Sequence, residues 1–479
     1  MATVSFSHRD FRTTHRPLEW TPRILGAQPQ VFMRRETATP ENIIETGSRN
    51  ILFCGEGMDL PDGFVRAASK ANVKVEPIAG GHTLILSRQM QIYVRWARDW
   101  FGADVGADVE ASRTAWAELL ELLKLHTKTN DGRWLMPLPS PAMTGVAFFR
   151  TYMPTDMIFA RLTPEQRTII MSSWKDRWHT YAPDQHRDEI FKTTGTLPDC
   201  WYFDHSHFYR TVGISISLPE GEIEEQIGGD FRIFKPGWYL VSARVPDDWK
   251  HVALVASNGE WVRAPGQSFE AWVGEPEARL LFNYKDTWRP VIKRQLRFAL
   301  NGGSDRQGLR TAIEIIAAIE DAGKTIPGIR YACRAILHHA IGKLHPGYRP
   351  VKEDIHEDDD ARLDAAEAAG AKVWRNQKKP AYWTAEYPNT REDRTRDEAP
   401  QISAHLWSEA RRRMAVAMLS VPFDDIIGVF SDAIFTTRPH DFPSHGNDPA
   451  FNRKGYRQGP VKAPKNTKEL RAMFAEISA

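Results

Sequence analysis

Two aspartates that follow apolar runs, Asp204 and Asp432, have the setting most suggestive of chemistry. Asp204 ends the run Cys-Trp-Tyr-Phe, and Asp432 interrupts the apolar stretch 426–435. A charge in such surroundings is costly unless it is paired or bound to a metal ion. Mg²⁺ prefers carboxylate ligands, and two such ions about 3.5–4 Å apart stabilise the attacking and leaving oxygens of a phosphoryl transfer. Together the two acids predict a metal-dependent phosphoryl-transfer site, although each alone is also typical of a turn.

Cations that could bind a triphosphate cluster around one predicted helix, at 328–344. Lys324 precedes this helix, and Arg330 and Arg334 lie four residues apart on one face of it. Arginine can bind phosphate through two parallel hydrogen bonds. A solvated basic helix face explains the same pattern. Farther along, 453–471 contains seven Lys or Arg and one acid, which indicates either a surface that follows nucleic-acid phosphates or a simple basic tail.

Hydrophobic periodicity indicates the elements that must position these residues. An N-terminal α/β region precedes β-rich segments, then helices, then two short strands, then a basic tail. We expect strands at 50–54, within 200–216 and 237–272, and at 426–437; helices at 62–72, 87–103, 110–126, 141–150, 163–178, 288–322, 328–344, 401–420 and 467–477; and a solvated acidic excursion at 352–369.

Composition excludes several classes of protein. The 479-residue chain has a net charge of +2, so bulk charge alone does not indicate a nucleic-acid partner. Its three cysteines are widely spaced and form no Cys-x-x-Cys pair, which predicts a reduced, cytoplasmic setting and no zinc site. No apolar run reaches the roughly 18 residues of a membrane span, so we expect no membrane association.

Four segments, in this order, resemble conserved motifs of family B DNA polymerases. The segments between the first two are also similar to the protein-primed, phage-like branch, and the resemblance covers about 185–460. Asp204 to Arg210 resembles motif A (Asp-x-x-Ser-Leu-Tyr-Pro), 334–343 resembles motif B (Lys-x-x-x-Asn-Ser-x-Tyr-Gly), 429–435 resembles motif C (Asp-Thr-Asp-Ser-Ile-Phe), Lys454-Gly-Tyr456 resembles the Lys-x-Tyr motif, and 237–246 with 265–281 resemble the intervening protein-primed segments.

The resemblance implies a role for each matching residue. Two Mg²⁺ ions, replaceable by Mn²⁺, would be held by the two acids, and the partners would be a DNA template and primer, dNTPs, and a terminal protein or another replication protein. The implied metal ligands and catalytic residues are Asp204 and Asp432; the nucleotide-binding residues are Tyr209 (a steric gate against ribose), Lys324, Arg330, Arg334, His338 and Gly342; and the primer contacts are Lys454 and Tyr456.

The implied fold is α+β, a right-hand polymerase with palm, fingers and thumb and an N-terminal α/β exonuclease-like domain. Phe53-Cys54-Gly-Glu56 resembles the exonuclease motif Phe-Asp-x-Glu-Thr with Cys54 in place of a metal-binding Asp. We therefore expect a degenerate domain without proofreading. The expected boundaries are 1–185 for the N-terminal arm and this domain, 186–290 for the first palm segment, 291–345 for the fingers, 346–440 for the second palm segment, and 441–479 for a small thumb or basic tail.

Departures from the motifs leave three functions open. Phe430 replaces the first motif C aspartate, and because alternate strand residues share a face, it is expected to point the same way as Asp432. His338 and Ile341 replace the Asn and Tyr of motif B. The chain is thus predicted to be a template-directed DNA polymerase that extends a 3′ or protein-supplied hydroxyl. The alternatives are a non-catalytic, polymerase-derived nucleic-acid-binding protein and a primase-like or template-independent nucleotidyltransferase.

Overall fold

The chain divides into two compact units. The first comprises Met1–Met157 with Thr311–His339, and the second comprises Ile158–Arg310 with Ala340–Ala479. The computed structural model describes residues 31–58, 60–78, 81–87, 90–128, 134–152, 162–173, 180–181, 196–205, 208–216, 218–219, 223–228, 235–249, 251, 253–257, 260–262, 264–298, 306–344, 351–356, 358, 360–368, 371–375, 382–387, 399–430, 432–442, 451–462 and 472.

Within the described residues, the strands form four sheets of three to five strands and one short two-stranded ribbon, β10-β11. In chain order they are β1 (Val31–Arg34), β2 (Asn50–Cys54), β3 (Lys74–Ile78), β4 (Gly81–Ile85), β5 (Gln91–Trp96), β6 (Thr180–Tyr181), β7 (Thr196–His205), β8 (Ile223–Ile227), β9 (Gly237–Arg244), β10 (Ala256–Ser257), β11 (Glu260–Trp261), β12 (Ser268–Gly274), β13 (Val291–Phe298), β14 (Val351–His356), β15 (Lys372–Arg375), β16 (Tyr382–Tyr387), β17 (Ile426–Phe430), β18 (Ala433–Thr436) and β19 (Phe451–Lys462).

Five predicted helices, those at 62–72, 110–126, 141–150, 328–344 and 401–420, begin and end within two residues of their expected bounds. No helix in the described portion of the chain is long and apolar enough to cross a bilayer. Asp108 caps one helix by accepting the N–H of Ala111 at 2.7 Å. The helices are α1 (Pro40–Glu45), α2 (Phe64–Lys70), α3 (Ala97–Ala107), α4 (Val109–Thr127), α5 (Pro141–Tyr152), α6 (Pro164–Ser172), α7 (Phe208–Ser215), α8 (Glu275–Asn283), α9 (Lys285–Trp288), α10 (Arg306–Ala322), α11 (Ile329–Leu344), α12 (Asp360–Ala368) and α13 (Pro400–Leu419).

The first unit is built on a five-stranded sheet of order β1-β2-β5-β4-β3. Strands β1, β2 and β5 are parallel, and β4 is antiparallel to both of its neighbours. Alternate residues of β2 enter two different cores, Leu52 on one side and Ile51 and Phe53 on the other. This strand is therefore buried on both faces, which explains its unbroken apolar sequence. The first of these cores also contains Ile319 of α10 and Ile336 of α11.

The helix expected at 87–103 is wrong in its first half. Residues 91–96 form strand β5, and only then does α3 begin. The sequence Gln-Ile-Tyr-Val-Arg-Trp alternates, with Ile92, Val94 and Trp96 buried and the residues between them half-buried. A period of two residues is the mark of a strand.

In the second unit, a four-stranded antiparallel sheet has the order β12-β9-β13-β8. Strand β13 occupies 291–298, a segment that the sequence predicted as helix and grouped with the fingers at 291–345. A bulge between Ile292 and Arg294 breaks the alternation of this strand. The helical portion of the 288–322 segment begins only at Arg306.

A small sheet of order β14-β16-β15 with helix α12 occupies the segment expected as an acidic excursion. Its core joins Ile355, Ala366 and Ala385. The segment 352–369 is therefore partly folded around apolar residues.

The remaining sheet of the second unit has the order β19-β7-β18-β17-β6. Its edge strand β19 covers 451–462, within the stretch predicted as a basic tail. Of the short helix predicted at 467–477, all but residue 472 lies outside the described residues. Both predicted metal-binding acids lie in or beside this sheet.

Candidate active site

Asp204 and Asp432 meet at the ends of two neighbouring strands. Asp204 on β7 is paired with Ala433, the first residue of β18. The backbone N–H of His205 donates to the carbonyl oxygen of Asp432 at 3.1 Å. The backbones of the two acids are thus adjacent although the acids are far apart in sequence.

Asp432 occupies the connection of a tight hairpin. Strand β17 ends at Phe430, which pairs with Ala433, so that only positions 431 and 432 lie between the strands. The expectation that Phe430 and Asp432 alternate along one strand is therefore wrong, because Asp432 is a turn residue. Asp432 therefore lies at the end of the hairpin.

The register defines which residues share a sheet face with Asp204. The rings of Tyr202 and Phe435, which face each other across β7 and β18, stack with centroids 5.0 Å apart and planes at 9°. Because residues two apart on a strand share a face, Asp204 lies on the same side as Tyr202. Its partner on the other neighbouring strand is Asn452. We call this side the Asp204 face.

An aromatic layer on the opposite face fixes the end of β7. The ring of His205 lies 4.9 Å from that of Phe208 and 5.1 Å from that of Phe451. Phe203 packs 5.0 Å from Phe442. His205 and Phe203 are both buried, so the strand is anchored on either side of Asp204.

Tyr209, the predicted steric gate, lies in the first turn of α7, directly beyond this anchored strand end. The Tyr209 side chain lies outside the described residues. Its proposed role toward the sugar stays a prediction.

Asp425, near the start of the same hairpin, belongs to a separate polar group. Its carboxylate accepts a hydrogen bond from the hydroxyl of Thr437 at 3.2 Å and lies 3.1 Å from Nε2 of His440. Arg438 is 3.5 Å away. This buried acid stabilises the exit of β18 and does not replace the missing aspartate at position 430.

The two acids at the strand ends suit ions that also bind substrate. Within the described ranges, no group of three or more His, Cys, Asp or Glu side chains could hold a metal ion by itself. Mg²⁺ is commonly bound by one or two carboxylates, with phosphate oxygens and waters as the other ligands. Asp204 and Asp432 fit that pattern in type and in backbone proximity.

The predicted triphosphate ligands lie on and before helix α11. Lys324, Arg330 and Arg334 are exposed, and Arg330 lies 3.4 Å from the buried carboxylate of Glu320. They belong to the first unit, whereas Asp204 and Asp432 belong to the second. Their role therefore stays a prediction from the motifs.

Two further motif B positions lie on the last turns of α11. Desolvation, then the charges of Arg334 and His339, lower the pKa of His338 to about 4. Its imidazole is therefore neutral at pH 7. Part of the residue is nevertheless exposed to solvent. Gly342 lies inside the helix, and a Cβ added there would meet no atom within 4 Å.

The predicted primer contacts lie on the edge strand β19. Lys454 is the unpaired residue of a bulge, because the register passes from Arg453 to Gly455 without it. Tyr456 pairs with Trp201, and their ring centroids are 4.3 Å apart. Since Trp201 and Tyr202 are consecutive, Tyr456 lies on the face opposite Asp204.

Sequence reasoning missed Asn452 and Trp201. Their positions relative to Asp204 follow from the pairing of β19 with β7, strands joined by no short connection. No local pattern carries that register. The one available signal was the resemblance of 454–456 to the Lys-x-Tyr motif, which indicated that this stretch lies near the site.

At the exonuclease-like position in the first unit, Cys54 ends β2 and is buried. Desolvation raises the pKa of its thiol to about 11. The thiolate is the metal-binding form of cysteine, so Cys54 is a poor substitute for a carboxylate. Glu56 lies beyond the strand end and is exposed.

Comparisons with known proteins find likeness in structure but not in sequence. No family model and no curated protein matches the chain. It is similar to phi29 DNA polymerase complexed with single-stranded DNA, with a TM-score of 0.50, 11% identity, and coverage of 79% of this chain and 67% of the other. Against the ternary complex of phi29 DNA polymerase with primer-template DNA and incoming nucleotides, the TM-score is 0.46 at 12% identity, and 74% of this chain matches 57% of the other.

The similarity to the complex with single-stranded DNA, at a TM-score of 0.50, shows a likeness of fold. The chain spans little more than half the length of the polymerase in the ternary complex. The resemblance to protein-primed family B DNA polymerases expected from the motifs is confirmed at this level: the chain has a mixed α/β fold like that of phi29 DNA polymerase, divergent in sequence.

Proposed function

We propose that this chain, which shares the fold of phi29 DNA polymerase, is a template-directed DNA polymerase that adds dNTPs to a 3′ or protein-supplied hydroxyl. The observation that supports it most is the adjacency of Asp204 and Asp432 at neighbouring strand ends. Two carboxylates so placed are the minimum protein contribution to a two-ion phosphoryl-transfer site. The degenerate setting of Cys54 supports synthesis without proofreading.

Asp204 and Asp432 would hold two Mg²⁺ ions, which when bound stabilise the attacking and leaving oxygens. The anchored end of β7 would keep Asp204 in place during turnover, because Phe203 and His205 on the opposite face are buried. Such preorganisation matters since misplaced catalytic groups lose much of their effect.

The chain's other predicted site residues would bind and orient substrate. Lys324, Arg330 and Arg334 would neutralise the triphosphate, and Tyr209 would exclude the 2′-hydroxyl of a ribonucleotide. Because its pKa is about 4, His338 would act as a neutral hydrogen-bonding group. Lys454, unpaired in the bulge of β19, would contact a primer phosphate.

Primer extension with radiolabelled primer on a heteropolymeric template tests the proposal. Asp204→Asn and Asp432→Asn preserve size and remove charge, so each is expected to abolish extension while thermal unfolding stays close to that of the wild type. Asp441→Asn, an exposed acid of the same unit, is the matched control and keeps full activity. Wild-type extension by either site variant would overturn the proposal.

A non-catalytic nucleic-acid-binding protein is the second candidate. It is favoured by Phe430 at the position of the first motif C aspartate. It predicts salt-dependent DNA binding with no incorporation in Mg²⁺ or Mn²⁺. The same assay run without template, and with NTPs in place of dNTPs, distinguishes a template-independent or primase-like nucleotidyltransferase.

A further inference from the structure

A group of two aromatic rings and a guanidinium lies on the face of the β19-β7 sheet opposite Asp204. Tyr456 and Arg453 are exposed, and Trp201 is half-buried. The guanidinium of Arg453 is 4.3 Å from the ring centroid of Trp201 and 5.9 Å from that of Tyr456. The rings of Trp201 and Tyr456 are themselves 4.3 Å apart. We call these three residues the Trp201 cluster.

The cluster is held in place but open to solvent. Tyr456 is 40% exposed, although most large side chains in this sheet are buried. Its hydroxyl is hydrogen-bonded to Asp199, which also accepts the backbone N–H of Gly459 at 2.9 Å. The ring is thus ordered before any ligand arrives, which reduces the entropy lost on binding.

The charge around the cluster has a single sign along its edge strand. Strand β19 contains four Lys or Arg and no acid, and Arg453, Lys454 and Arg457 are exposed. A row of cations with interleaved aromatic rings is complementary to a chain of phosphates that carries unpaired bases. A duplex presents no free base faces to such rings, so the surface favours a single strand.

We propose that the Trp201 cluster binds single-stranded nucleic acid, with bases stacked on Tyr456 and Trp201 and phosphates along the basic side chains of β19. This site is separate from the primer terminus, because the register places it on the other face of the sheet from Asp204. The inference rests on the proposed function only for its choice of nucleic acid as the ligand. A non-catalytic nucleic-acid-binding protein would use the same surface.

Fluorescence anisotropy of the full chain with a labelled oligo-dT of about 15 nucleotides, and with a blunt duplex of equal length, tests the site without divalent metal or dNTP. Tyr456→Ala is expected to weaken oligo-dT binding about 10-fold and to leave duplex binding unchanged. Tyr456→Phe keeps the ring and is expected to bind like the wild type. Arg453→Ala weakens binding, and Arg453→Lys restores only the charge-dependent component.

Arg244→Ala is the matched control for loss of one exposed arginine, since Arg244 lies on the four-stranded sheet and pairs with Asp247 at 2.7 Å. Asp204→Asn is expected to bind oligo-dT like the wild type. Loss of extension in Asp204→Asn with oligo-dT binding intact therefore separates the two proposals, and failure of one leaves the other standing.

Photocrosslinking of the wild-type chain to an oligo-dT that contains 5-iodo-deoxyuridine locates the strand directly and does not depend on whether any variant folds. Crosslinks mapped to Tyr456 or Trp201 support the site. The proposal is overturned if crosslinks fall only elsewhere, if Tyr456→Ala binds oligo-dT normally, or if it weakens single-strand and duplex binding equally. The last result would make Tyr456 a general DNA or primer contact.

Discussion

Arg411 of α13 forms two hydrogen bonds, of 2.7 and 2.6 Å, with the carboxylate of Glu277 in α8. Both side chains are almost fully buried, with 3% and 2% exposed. Ser408 donates to the same carboxylate at 2.8 Å. The pair ties the helix that precedes the Asp432 hairpin to the helix that follows β12, so it contributes to the framework behind the candidate site.

Removing one partner of this pair should be strongly destabilising. Arg411→Met leaves the carboxylate of Glu277 buried without its cation, so we expect the free energy of unfolding in urea to fall by about 3–5 kcal/mol. Arg244→Met, which breaks the exposed Arg244–Asp247 pair of 2.7 Å, should cost at most about 1 kcal/mol. Similar losses in the two variants would show that burial of the Glu277 pair is unimportant.

Substitution of Gly342 tests whether a glycine at this position is needed for stability or for activity. An added Cβ meets no atom within 4 Å, and alanine favours helix over glycine, so Gly342→Ala should stabilise the second unit by about 0.5–1 kcal/mol. If the backbone must pass close to a nascent base pair, the same variant should extend primers poorly.

Gly106→Ala is the contrasting variant. A Cβ there would lie 2.5 Å from backbone atoms of Arg98, so the variant should be destabilised. Both variants are measured by thermal unfolding and by primer extension. A stable but inactive Gly342→Ala supports close approach of the backbone to the nascent base pair at this position. Full activity of Gly342→Ala would show that Gly342 is not part of the site.

Local periodicity predicted most of the long helices but missed several short helices and several strands. The helices α4 and α13 begin and end within a few residues of their predicted bounds because each has an apolar stripe or run at helical spacing. Strand β13 was missed because its bulge disrupts alternation. Strand β19 was missed because its pairing with β7 is long-range and leaves no local signature.

The candidate site shows the same division between local and long-range information. Asp204 and Asp432 were selected from their apolar surroundings, and the register brings their backbones together. That Asn452 lies across from Asp204, or that Tyr456 lies on the other face, depends on the alignment of distant strands. Motif resemblance can suggest that such strands meet, but it does not fix which residues face each other.

Asp99 should make the stability of the first unit depend on pH. Desolvation raises its pKa from 3.8 to about 6, and the charge of Arg95 opposes this only to a limited extent. The folded chain therefore binds a proton more tightly than the unfolded chain. This contribution to stability is present at low pH and is lost as the pH rises from about 4 to about 6.

Asp99→Asn removes this titration. The stability of Asp99→Asn minus that of the wild type should therefore be larger at pH 7 than at pH 4.5. Urea unfolding of both proteins at the two pH values measures this difference. Asp104→Asn, an exposed change in the same helix, is the control for removing one carboxylate from this helix. A difference between Asp99→Asn and the wild type that is constant with pH would contradict the raised pKa.

Position 430 offers a test of whether the missing motif C aspartate limits metal binding. Phe430 pairs with Ala433, whose other neighbour is Asp204, so the three positions form a row across adjacent strands. Phe430→Asp should add a third carboxylate near the ions and tighten Mn²⁺ binding, as measured by electron paramagnetic resonance titration. Phe430→Asn changes size and polarity in the same way without the charge, and should leave Mn²⁺ affinity at the wild-type level. Equal affinities in the two variants, with binding still lost in Asp204→Asn, would show that a carboxylate at position 430 does not reach the metal ions.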